Sequence, residues 1–215
     1  MTIAKMIDHT LLKPEASEKD IVRLCHEAKQ YQFASVCVPP VYVYMAAKML
    51  YGTGVKVGTV IGFPLGANDT EIKVYEVYLA KAHGANEVDM VMNIGWAKSG
   101  RWDAVTRDVG RVAEAAHGSG LLLKVIVETA LLTEEEKKKA AALVVESGAE
   151  YIKTSTGFAK GGATVEDVRN FKLWVGDKIK IKASGGIRTR ELALALIDAG
   201  AERLGTSAGI QLLGP

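Results

Sequence analysis

Lys178–Gly186, KIKIKASGG, alternates charged and apolar residues and then ends on two glycines. A period of two marks a strand whose faces meet different surroundings. Ile179, Ile181 and Ala183 form one apolar face, and Lys180 and Lys182 form the other. Three more stretches share the pattern. EVDMVMN, 87–93, sets Val88, Met90 and Met92 against Glu87, Asp89, Val91 and Asn93. LLLKVIVE, 121–128, isolates Lys124, Ile126 and Glu128 on one side, and YIKTSTGF, 151–158, separates Ile152 from Tyr151, Lys153 and Ser155.

Helix-periodic segments separate these strands. Strands are predicted near 6–8, 34–38, 55–61, 87–92, 121–127, 151–154, 178–183 and 203–205, with seven helical segments between them. Ser17 with Asp20, Thr133 with Glu136, and Thr164 with Asp167 are spaced as helix N-caps. Glycine–alanine pairs at 84–85, 148–149 and 200–201 fall where a helix ends and the next strand begins. His83 and His117 each precede such a junction or another helix-ending glycine, where a cation suits the helix dipole. Strands joined through helices pair in parallel. Eight of them fit a closed α/β barrel of the (β/α)8 type better than an open sheet, so residues 1–215 are expected to form one such domain. In a barrel the apolar faces turn to the helices and the charged faces turn inward.

Composition narrows the function. The chain of 215 residues is 48% hydrophobic and 24% charged with a formal charge of +2, which offers no clustered basic excess for nucleic acid or an anionic membrane. TEEEKKKAA, 133–141, is the one dense charge run and reads as a solvated helix face. MTIAKMIDHT has no apolar leader core, and lysines or glycines interrupt every apolar run before membrane-spanning length. Cys25 and Cys37 have no metal-ligand spacing, and His9 and His26 stand isolated. A cytoplasmic protein with no metal or organic cofactor is expected.

The inward set is the chemical signal. Asp89, Lys124, Lys153 and Lys182 come from four consecutive strands, and three lysines outnumber the acids. An excess of buried cation stabilises a core poorly, which favours a functional site over a structural ion-pair network. An amine must be neutral to attack a carbonyl, and at a pKa of ~10.4 almost none is neutral at pH 7. Two ammoniums about 5 Å apart repel by about 3 kcal/mol at an effective dielectric near 20. That lowers one pKa by about two, and burial lowers it further. Lysine beside lysine therefore suits Schiff-base chemistry, although mutual repulsion does not say whether Lys153 or Lys182 attacks. Thr154, Ser155 and Thr156 follow Lys153 with hydroxyls that suit a sugar or a carbinolamine.

Two glycine-rich loops complete the pattern. SGGIR, 184–188, follows the seventh strand and leads into a helix, and GTSAG, 205–209, follows the eighth and leads into a short terminal helix. Backbone N–H groups in such loops approach anions closely, and loops seven and eight of barrels often hold phosphate. Arg188 adds a cation beside them.

EVDMVMNIG, LKVIVET, YIKTSTGF and KASGGIRT, in this order and spacing, resemble the deoxyribose-phosphate aldolase family of Schiff-base (class I) aldolases. The resemblance extends from IDHTLLKP to RLGTSAG, almost the whole chain. It implies reversible cleavage of 2-deoxy-D-ribose 5-phosphate to D-glyceraldehyde 3-phosphate and acetaldehyde. By the same resemblance Lys153 is the Schiff-base lysine, Lys182 the lysine that perturbs it, and Asp89 the acid–base carboxylate acting through water. It further implies Asp8 as a carboxylate beside the site and Cys37 as a thiol near substrate. For Cys37 the residue type alone favours a small core side chain. Thr156 and Gly157 fall within the matched YIKTSTGF, and Gly185, Gly186, Gly205 and Ser207 match the phosphate loops. Some members carry a lysine directly after STG where this chain has Phe158, which shifts phosphate binding towards backbone amides and Arg188. The alternatives are another Schiff-base barrel aldolase acting on a ketose phosphate and a non-catalytic phosphosugar-binding barrel. The expected partners are a sugar phosphate, aldehydes and further copies of the chain in a dimer or tetramer. Tyr42, Tyr44 and Trp174 serve either that interface or the core.

Overall fold

The computed structural model describes residues 2–214 and closes eight parallel strands into a barrel in sequence order, β8 pairing with β1. The strands are β1 (Ile7–Thr10), β2 (Ser35–Cys37), β3 (Lys56–Ile61), β4 (Glu87–Val91), β5 (Leu122–Ile126), β6 (Tyr151–Lys153), β7 (Lys180–Ser184) and β8 (Arg203–Thr206). Around them lie α1 (Glu18–Tyr31), α2 (Val43–Leu50), α3 (Thr70–Ala82), α4 (Ile94–Lys98), α5 (Trp102–Gly118), α6 (Glu134–Glu146), α7 (Val165–Val175) and α8 (Arg190–Asp198). The β4–β5 crossover holds two helices where the sequence predicts one. Asn93 starts α4 by accepting the N–H of Trp96 at 3.0 Å, and Gly100 then turns the chain with φ 72°.

The apolar faces settle as alternation predicts. Val88, Met90 and Met92 of the β4 segment, Leu123, Val125 and Val127 of the β5 segment, and Ile179, Ile181 and Ala183 of the β7 segment all pack in the core between sheet and helices. Phe171, Val168 and Leu196 meet them from the helices. Thr133 and Glu136 form the reciprocal cap of α6, Ser17 and Asp20 close the start of α1, and Thr164 accepts the N–H of Asp167 at α7. His83 is the C-cap of α3, and His117 lies in the last turn of α5, 3.2 Å from Glu150.

Two expectations need correction. Lys180 does not enter the barrel: it shares the face of Lys182, but it lies exposed at the amino end of β7, opposite Tyr151 in the ladder. The terminal helix after GTSAG is a single 3-10 turn, Gln211–Leu213, so no α-helix dipole adds to that loop. Cys37 is buried, as its residue type suggests, on the interior side near Asp89, Lys182 and Lys153, while its neighbours Val36 and Val38 pack in the helix–sheet core. Tyr42 is half-buried and donates its hydroxyl to Ala16 O, Trp174 packs against Phe171, and Tyr44 is exposed.

Candidate active site

Lys153 ends β6 directly opposite Lys182 on β7 in the parallel ladder. On the other side of β5, Asp89 lies opposite Lys124. These four side chains meet in the barrel interior, each at most 3% exposed. Asp89 is the hub. Its Oδ1 accepts from Lys124 Nζ at 2.9 Å, and its Oδ2 accepts from both Lys153 and Lys182 at 2.7 Å. Sharing one oxygen holds the two amines no further apart than twice that distance.

The lysines differ in what else they hold. Lys182 also meets Asp8 Oδ2 at 2.5 Å, and Lys124 also meets Glu87 at 2.7 Å, whereas among the described residues Lys153 pairs with Asp89 alone. Burial lowers the pKa of all three. For Lys182 the carboxylates of Asp8 and Asp89 outweigh burial and raise it above the usual lysine value. For Lys124, Asp89 and Glu87 do the same. For Lys153 burial prevails over Asp89, with the repulsion of Lys182 added, and the pKa falls. Burial therefore lowers Lys153 more than its lysine neighbour does. The symmetry that mutual repulsion left open is broken by Asp8.

Beneath the amines Arg203 of β8 clamps two strands. Its Nε donates to Asp8 Oδ1 at 2.8 Å, its Nη2 reaches that same oxygen, and Nη2 also donates to Glu87 Oε2 at 2.8 Å. Burial opposes ionisation of Asp8, yet Lys182 and Arg203 hold its carboxyl well below the usual range. Asp89 is held low against the same penalty by Lys124, Lys153 and Lys182. The Cys37 thiol goes the other way: burial, with Asp89 nearby, pushes it up to about 11, so it is neutral at pH 7.

A cavity of about 230 Å³ opens above Lys153 at the carboxyl ends of the strands. Thr156, Gly157, Gly185, Gly186, Arg188, Gly205 and Ser207 line it. Asp8, Cys37, Asp89 and Lys182 lie below it rather than on its wall. Of the buried lysines, Lys153 alone lines the cavity. The N–H groups of Gly157, Gly186 and Ser207 find no acceptor among the described residues, which leaves them for a ligand. Gly185 has φ 90°, and a Cβ there would stand 3.0 Å from Gly162 Cα, so only glycine fits. At Gly205 a Cβ would meet the Lys182 Cε at 3.1 Å.

The sequence model of the DeoC/LacD family of aldolases matches residues 2–213. The chain belongs to the DeoC/LacD aldolase family. It is 68% identical to the deoxyribose-phosphate aldolase of Desulfitobacterium hafniense (strain DSM 10664 / DCB-2), over 99% of this chain and 98% of that one. The deoxyribose-phosphate aldolase of Thermoanaerobacter sp. (strain X514) is 55% identical over 99% and 96%. Among solved structures, the tetrameric deoxyribose phosphate aldolase from Aeropyrum pernix superposes with a TM-score of 0.92 at 33% identity, covering 98% of this chain and 89% of that one.

In this DeoC/LacD barrel, sequence reasoning missed Arg203 as the partner of Asp8 and Glu87, and Lys13 on the cavity rim. Arg203 opens the shortest apolar run and reads as a strand boundary, and Lys13 sits in a loop without periodicity. Phe158 also lines the cavity, half exposed and edge-on to Phe63 at 5.2 Å.

Proposed function

We propose that the chain reversibly cleaves 2-deoxy-D-ribose 5-phosphate to D-glyceraldehyde 3-phosphate and acetaldehyde through a Schiff base on Lys153. The observation that carries this is the position of Lys153: it is the buried lysine at the cavity floor, it has one carboxylate where Lys182 has two, and its pKa is lowered. The neutral amine adds to the C1 aldehyde of the open-chain sugar. The carbinolamine loses water to give an iminium, which accepts the electron pair of the C2–C3 bond. Asp89, through a water molecule, takes the proton of the C3 hydroxyl as that bond breaks. Protonation of the enamine at C2 and hydrolysis then release acetaldehyde.

Burial, aided by the charge of Lys182 that Asp8 fixes, weakens the hold of the Lys153 amine on its proton. The N–H groups of Gly157, Gly186 and Ser207, with Arg188 at the rim, are the proposed phosphate contacts. The proposed setting is a homo-oligomer in the cytoplasm; no helix among the described residues is long and apolar enough to cross a membrane. Borohydride reduction in the presence of acetaldehyde, followed by peptide mapping, tests the assignment. Label on Lys153 is expected, and label elsewhere or none at all defeats it.

A further inference from the structure

Just past β5, Glu128 is buried, makes no ion pair with any described residue, and adopts φ 54° and ψ 67°. A left-handed backbone is unfavourable for a glutamate, and such residues persist where their surroundings hold them. Here the carboxylate reaches across to the loop that follows Lys153. Glu128 Oε2 accepts the Thr156 N–H at 3.1 Å and also the Thr156 hydroxyl. That hydroxyl in turn accepts the Phe158 N–H at 3.0 Å. The single hydroxyl hydrogen goes to Glu128, and the oxygen lone pair takes the amide, so the direction of the chain is fixed. The turn between the two tied amides is Gly157, whose own N–H is free and which lines the cavity.

This arrangement corrects one expectation about Thr156. Both of its donors are used internally, so it does not donate to the substrate. A carboxylate without a cation beside an anion-binding cavity would repel phosphate, so its electrostatics do not explain its presence. Its hydrogen bonds do.

We infer that Glu128 is a positioning residue that latches the Thr156–Phe158 turn and so aims the Gly157 N–H at the substrate phosphate. The latch rests on the sugar-phosphate reading above. It sets discrimination for the phosphorylated sugar rather than the chemistry at Lys153, because the turn lies on the rim while the amine is held from below by Asp89.

The test compares kcat/KM for 2-deoxyribose 5-phosphate with that for 2-deoxyribose, together with the inhibition constant of inorganic phosphate. In E128A the ratio of the two kcat/KM values is expected to fall at least tenfold, mostly through KM for the phosphorylated sugar. Phosphate inhibition should weaken by a similar factor. Glu128→Gln, which keeps an oxygen for both Thr156 donors, should retain at least a third of the ratio. T156V, which removes the hydroxyl link, should lower it and decides the matter if E128A does not fold. A ratio within twofold of the parent, an equal loss for both sugars, or a Gln variant as damaged as the Ala variant overturns the latch. Should the parent enzyme cleave neither sugar, the functional reading fails on its own. Calorimetry with inorganic phosphate then decides the latch, which requires a tenfold weaker Kd in E128A and is overturned by an unchanged one or by no binding to the parent.

Discussion

Lys153 and Lys182 are the same residue type on neighbouring strands, and the difference between them is made by one carboxylate. Asp8 gives Lys182 a second partner, and Lys153 has none. Replacing Lys182 by methionine removes the like charge while Asp89 remains to favour a proton on Lys153. The Lys153 pKa should then rise, moving the acid limb of kcat/KM to higher pH by at least about one unit and lowering activity at pH 7 at least about tenfold. A pH–rate profile of the variant checks the direction, and an unmoved limb would show that burial alone tunes the amine. Asp89→Asn should slow cleavage by about a hundredfold or more in a coupled acetaldehyde assay. At this scale the sequence was legible where charged and apolar residues alternate. Glu87, Asp89, Lys124, Lys153 and Lys182 all occupy the interior that alternation assigns to them. IDHT of β1 and RLGT of β8 carry no charged–apolar alternation to show that Asp8 and Arg203 face each other across the closing pair.

Among the elements, the β4 crossover is pinned to the helix layer by a second buried ion pair outside the barrel. Lys73 on α3 is fully buried, donates to Asp108 Oδ2 on α5 at 2.6 Å, and reaches Val91 O at the end of β4 at 3.2 Å. Thr70 donates to the other oxygen of Asp108 at 2.8 Å. Lys73→Met leaves Asp108 buried without its cation and should cost about 3–5 kcal/mol in urea denaturation. Replacing both, as K73M with D108L, should recover most of that loss, since an apolar pair of similar volume avoids the burial of charge. Lys73 was not legible in advance, because TEIKVYEVYLAKA places it on a helix whose polar residues read as solvated. The two-residue shift of β7 against its expected span has a simple cause: Lys178 and Ile179 continue the alternation, but their pairing begins only where β6 starts, at Tyr151 opposite Lys180. Helix ends were better defined, because caps such as Thr133 with Glu136 act through neighbours in sequence.

Across the whole molecule the buried charges set a pH window. Asp8 and Asp89 have folded-state pKa values below their unfolded ones, so the unfolded chain takes up protons first on acidification. Their contribution is complete above about pH 4 and is lost as pH falls below it towards the lower folded values. Lys124 and Lys182 are raised, so theirs is complete below about pH 10 and declines above it. Lys153 is lowered, so the cost of its charge is relieved as pH rises through its folded value. Thermal unfolding should show a steep acid edge below about pH 4, and D8N with D89N should flatten that edge. A wild-type Tm that holds steady down to pH 2 would contradict the electrostatic account. Barrel closure itself was legible, since eight strand–helix alternations admit few other parallel arrangements.

Arg203, with Asp8, Glu87 and Tyr151, plugs the amino end of the barrel with residues at most 9% exposed. Among the described residues the interior then opens at the carboxyl end, above Lys153. Under the proposed mechanism the three-carbon fragment would sit between the two-carbon enamine and the exit and depart first, and only then would bulk solvent reach the remaining adduct. Run backwards, the same arrangement would make acetaldehyde the first reactant to load and the phosphorylated aldehyde the one that seals the opening behind it.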